Sequence, residues 1–132
     1  MSLSAGIEFV RRKGSRNLYH AESLLCNALI RRLSAISDAV IYRHPRADYV
    51  PIVSFKIRGI PSEETAALLA KQGFCLRAGM HCAPLAHHVL GTEEGTVRFA
   101  PSVFSRMQDV QRLADAVDAI AGKNRQHGKK LL

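Results

Sequence analysis

The chain reads as an α+β domain with a small, mostly antiparallel sheet covered on one face by helices and a long N-terminal linker helix. Three observations predict it. Residues 7–36 repeat apolar side chains at helical spacing, residues 50–59 alternate in the manner of a strand, and a helical pattern closes the sequence near 105–121. Helices and short strands mixed in this order build a layer of helices on a sheet rather than a parallel α/β stack.

In the opening segment Ile7, Val10, Leu18, Ala21, Leu25, Leu29 and Leu33 mark one helical stripe, and Gly14-Ser15 is the point where it would kink. Ala39-Val40-Ile41-Tyr42 reads as a short strand. Val50 to Gly59 is a stronger one, with Pro51 tolerated near its start. Pro61-Ser62-Glu63-Glu64 opens a helix, with Ser62 as N-cap and two acids at the positive end of the dipole; Gly73 ends it. Phe74 to Arg77 and Gly95 to Ala100 are expected as strands flanking a loop. Ser105 and Gln108 have the spacing of a capping box ahead of Val110, Leu113, Val117 and Ile120, and Gly122 is expected to stop that helix.

Composition narrows the function classes. With 132 residues and 47% hydrophobic content the chain has enough apolar material for one domain with a real core. No apolar run approaches the ~18 residues of a membrane span. Residues 1–6 lack the pattern of a secretory leader. Three cysteines, an odd number without a disulfide rhythm, fit a reducing, cytoplasmic setting. The formal charge of +8 sits mostly at the two ends: four basic residues against Glu8 before residue 17, and four with no acid after residue 122. The body is left at about +1 and carries few aromatics to stack bases, so nucleic acid is not the expected partner.

Reactive side chains concentrate in one segment, Arg77-Ala78-Gly79-Met80-His81-Cys82-Ala83-Pro84-Leu85-Ala86-His87-His88. A cysteine on a loop, with an arginine five residues earlier and an adjacent histidine, has the exposure and electropositive setting that favour a thiolate nucleophile. The same composition fits a buried, inert cysteine at a strand end equally well. A zinc site is the other chemical reading, because Cys75, His81, Cys82, His87 and His88 lie close in sequence. Their spacings do not follow the paired Cys-x2–4-Cys or His-x3–5-His pattern, and no metal is expected.

The run Arg77-Ala78-Gly79-Met80-His81-Cys82-Ala83 resembles the R-x-G-x-H-C-A loop of the group II cysteine desulfurases and selenocysteine lyases, members of the class V aminotransferase family. Gly91-Thr92 and Gly95-Thr96-Val97-Arg98-Phe99-Ala100-Pro101 continue the likeness, which covers about residues 5–121. The resemblance implies a C-terminal small domain of a pyridoxal-phosphate enzyme. Residues 1–37 would be the linker helix from a large cofactor domain, 38–122 the small domain and 123–132 a basic tail. It implies that Cys82 takes the sulfur or selenium of a substrate held on the cofactor, leaving alanine, and that Arg98 clamps the substrate carboxylate. Arg77 would join in substrate binding, while His81 and Gly79 would shape the loop.

Members of that family carry their cofactor lysine in the preceding large domain, and no lysine of this sequence stands in such a context. The chain alone is therefore expected to hold no pyridoxal phosphate covalently and to turn over no cysteine. Its expected partners are the large domain and a sulfur-acceptor protein, and a homo-oligomer is expected from the apolar face the large domain would cover. A stand-alone interaction or sulfur-relay module of the same fold is the alternative.

Overall fold

A computed structural model describes residues 2–44 and 46–129, apart from the side chains of Ser2 and of residues 127–129. The elements run α1 (Ser2–Lys13), α2 (Ser15–Leu33), β1 (Ala39–Ile41), β2 (Val53–Ile57), α3 (Ser62–Ala70), β3 (Arg77–Gly79), α4 (Pro84–Leu90), β4 (Thr96–Phe99) and α5 (Met107–Lys129). The sheet has the order β1-β2-β4-β3 and every pairing is antiparallel. The α+β class expected from the sequence is the architecture observed.

One face of the sheet is the core. Val53, Phe55 and Ile57 of β2 and Val97 and Phe99 of β4 are buried, as the two-residue period of a strand requires. They meet Leu25, Leu29 and Leu33 of α2, Leu69 of α3, and Val110, Leu113, Val117 and Ile120 of α5. These spacings of three and four put one stripe of each helix inward. The intervening strand residues, among them Ser54, Lys56 and Arg98, belong to the opposite face and are half-buried.

Several boundaries differ from the sequence reading, each for a physical reason. The first helix is two helices. Gly14 takes φ 79°, its N–H closing α1 on Val10 O and its carbonyl accepting from Leu18 N in α2. Ser62 is the first helical residue of α3 and Pro61 is its cap. The Ser62 hydroxyl instead donates to Glu94 O at 3.0 Å, tying α3 to the chain ahead of β4. Residues 74–76 precede β3 rather than form it. In the register that pairs Arg77 with Arg98, Phe74 would face Pro101, which has no N–H for a ladder bond.

The expected capping box does not form. The Ser105 hydroxyl accepts from Ser102 N–H and closes the turn before α5, which starts at Met107. Gly122 does not end α5, which runs on to Lys129. The Asn124 side chain donates to Arg58 O at 3.2 Å, while Arg125 bonds Ser37 Oγ at 2.7 Å and reaches Asp38 at 3.3 Å. These three contacts offset the roughly 1 kcal/mol that a glycine costs inside a helix.

Candidate active site

The segment richest in reactive groups is an excursion from the end of β3 to the start of β4, pinched at its neck by two glycines. Gly79 has φ 107° and Gly95 φ 80°. A Cβ on Gly95 would fall 2.6 Å from the Gly79 backbone, so only glycine permits the approach. Within the excursion lies a helix the sequence reading missed, α4. Pro84 at its first turn and Gly91 at its left-handed end (φ 61°) were its signals, masked by its shortness.

Cys82 occupies a tight turn between β3 and α4. Ala83 N–H donates to Met80 O at 2.9 Å, and the two central residues, His81 and Cys82, have φ of 52° and 61°. Two positive φ values in a closed four-residue turn are the mark of type I′, which favours Asn-Gly because most side chains are strained there. His81 and Cys82 are the only non-glycine residues with positive φ among the described residues. Backbone strain of this sort persists only where surrounding structure enforces it, and it collects at functional sites. The Cys82 thiol is exposed.

Two histidines hold the turn. His81 Nε2–H donates to Thr96 O at 3.0 Å, and its Nδ1 is buried without a hydrogen-bond partner. Burial, outweighing the Thr96 bond, holds this imidazole below its ordinary value, and the neighbouring Arg98, His87 and Arg77 push in the same direction. His87 is buried on α4, and its Nδ1–H donates to the Thr92 carbonyl at 2.9 Å. The two rings lie 6.1 Å apart.

Arg77 and Arg98 are directly opposite each other in the β3–β4 ladder, with Ser54 completing the row on β2. The alternation of β4, whose Val97 and Phe99 fill the core, places this row on the helix-free face. Neither arginine forms a salt bridge among the described residues. Like charges in directly opposed positions repel, and among the described residues no carboxylate offsets this pair. Cys75 is exposed ahead of β3, and Cys26 is buried in α2, where burial raises its thiol to about 11. Among the described residues no three histidine, cysteine or acidic side chains converge as a metal site.

Residues 1–113 match the family described as Aminotransferase class-V. The chain belongs to that family. Among curated relatives it is 29% identical over 119 residues to a cysteine desulfurase of Haloferax volcanii, an alignment spanning 90% of this chain and 28% of the relative. It is likewise 29% identical to the cysteine desulfurase CsdA of Escherichia coli, over 89% of this chain and 28% of that protein. The crystal structure of CsdA superimposes with a TM-score of 0.80 at 26% identity, again over 28% of its length. The cysteine desulfurase of Thermococcus onnurineus shares the fold with a TM-score of 0.86 at 24% identity, over 92% of this chain and 30% of that one. The chain thus spans less than a third of the length of these relatives.

Among the described residues, the lysines do not form a site for pyridoxal phosphate beside Cys82. Lys56 is engaged by Glu94 at 3.3 Å, and the side chains of Lys13, Lys71 and Lys123 are exposed on helices or their turns. None lies in the 77–98 segment that holds Cys82 and the arginine pair.

Proposed function

We propose that this chain is the C-terminal small domain of a cysteine desulfurase-like enzyme, in which Cys82 is the sulfur-accepting nucleophile. The observation that carries the reading is the strained, exposed Cys82 turn beside two arginines that have no carboxylate partner among the described residues. Its likeness to cysteine desulfurases supports the substrate class.

In this reading Arg98, with Arg77 opposite, receives the carboxylate of an amino acid whose side chain ends in sulfur or selenium. A planar guanidinium suits a carboxylate because both offer two parallel bonding atoms. Cys82 attacks as a thiolate. The new bond joins its Sγ to the substrate sulfur, the substrate Cβ–S bond breaks, and the amino acid leaves as alanine after gaining a proton at Cβ. That cleavage would draw on the electron-sink chemistry pyridoxal phosphate supplies when bound, held by the lysine of a large domain that completes the site. His81 and Gly79 shape the turn, and Cys82 then hands its outer sulfur to an acceptor protein.

The test separates sulfur transfer from the cofactor's chemistry. The chain is incubated with a low-molecular-weight persulfide, whose outer sulfur moves to the attacking thiolate while the donor leaves as a thiolate. Peptide mass spectrometry then locates the added sulfur. It is expected on Cys82 in preference to Cys75, which is also exposed, and equal labelling of the two would overturn the assignment. Supplying a lysine-bearing large domain is expected to restore release of alanine from cysteine, and C82A to abolish it.

A further inference from the structure

His87 is buried, polar and unused by the chemistry just described, yet it sits at the centre of the bonds that fix the Cys82 turn. Its backbone N–H donates to Ala83 O at 3.2 Å, and Ala83 N–H is the donor that closes the turn on Met80. Its ring donates to Thr92 O, which also accepts from Gly95 N–H at 2.7 Å. Gly95 is the residue packed on the Gly79 backbone. One residue therefore meets the start of α4 through its backbone N–H and the neck where β3 meets β4 through its ring. The Thr92 hydroxyl lies 2.8 Å from the same Nδ1, so the ring has two oxygen atoms to face.

We propose that His87 is a positioning residue for Cys82, holding the strained turn in place through its Nδ1–H bond to Thr92. The proposal rests on the reading of Cys82 as nucleophile for its purpose, but not for its geometry. Because a carbonyl only accepts, the bond requires the proton on Nδ1 of His87, whereas the Thr96 bond requires it on Nε2 of His81. The two neighbouring rings thus hold opposite tautomers. The other charged groups near the pair are Arg77 and Arg98 on the sheet, Glu63 of α3 beside Gly79, and the exposed His88–Glu93 pair at 3.3 Å.

A side chain that merely fills the core and one that positions through a bond predict opposite rankings of two variants. H87L keeps apolar volume and loses the donor; H87N keeps a donor at the Nδ1 position and loses volume. Imidazole nitrogen NMR follows the His81 titration in each, and iodoacetamide labelling compares Cys82 with Cys75 as internal reference. For positioning, H87N retains the wild-type His81 midpoint. H87L lets that midpoint rise toward 6.5 and changes the Cys82-to-Cys75 labelling ratio about threefold or more as the access to the sulfur changes with the loosened turn. The reverse ranking, or no change in H87L, overturns the proposal. Wild-type protein supplies a check that needs no variant: finding His87 protonated on Nε2 in its neutral form would also overturn it. None of these readouts uses a sulfur donor, so the proposal can fail while the sulfur-transfer reading stands, and the reverse.

Discussion

Replacing Cys82 by glycine is expected to make the protein more stable. Cys82 holds φ at 61°, where an L-residue pays roughly 1–2 kcal/mol against the neighbouring carbonyl and glycine does not. Glycine has the larger unfolded-state entropy, which returns about 0.5–1 kcal/mol of that gain. The net is about 0.75 kcal/mol in favour of C82G. C82A is the control, since it removes the same sulfur and keeps the strain. In urea, with a slope of about 1.5 kcal/mol per molar, the C82G midpoint should lie about 0.5 M above that of C82A. Circular dichroism unfolding curves of the two variants with parallel slopes give the answer. A midpoint for C82G at or below that of C82A would refute the claim that the turn is strained at this residue.

Three more outcomes are expected. G95A should destabilise by more than about 2 kcal/mol, because its Cβ meets Gly79 backbone as well as a positive φ, whereas G91A, in open space, should cost only about 1 kcal/mol; equal losses in thermal unfolding would contradict the close-approach argument. His81 lies below its ordinary 6.5, so the unfolded chain takes up the proton first as pH falls. Stability is full above 6.5 and declines below it until the folded ring also protonates. H81N should flatten that part of the stability-against-pH curve between pH 7 and 5, and an unchanged slope would count against it. Cys26, with its thiol raised to about 11, should react with iodoacetamide about a hundredfold more slowly than an ordinary cysteine at pH 8. Matching rates for Cys26 and Cys75 in native protein would show that α2 opens readily.

Legibility in the sequence followed the strength of the local signal. Val53, Phe55 and Ile57 alternate and Val110, Leu113 and Val117 repeat at helical spacing, and each segment folds as its pattern requires. Gly14 was visible as a kink; that it fully divides two helices depends on its positive φ, which a sequence does not print. Ser62 and Ser105 were read as caps because caps are local. Their hydroxyls instead serve Glu94 O and Ser102 N–H. Gly122 failed as a stop signal because Asn124 and Arg125 find partners far away in the chain. At the candidate site, the motif brought Cys82, Arg98, Arg77, His81 and Gly79 to notice. The face-to-face placement of the arginines came only from strand register, and His87 was noticed only as a metal candidate, since its bond to Thr92 requires α4 to exist.

The Gly79–Gly95 contact sets how independent the Cys82 excursion is from the rest of the molecule. Backbone rests on backbone at this neck, where a Cβ on Gly95 would fall 2.6 Å from Gly79. Leu85 and Val89 on α4 are more than four-fifths exposed. The outer surface of α4 is thereby open to substitution without disturbing the sheet, provided the two glycines and the histidine bonds stay. The excursion behaves as an interchangeable head on a fixed stem, able to diversify in what it touches while its thiol keeps one address.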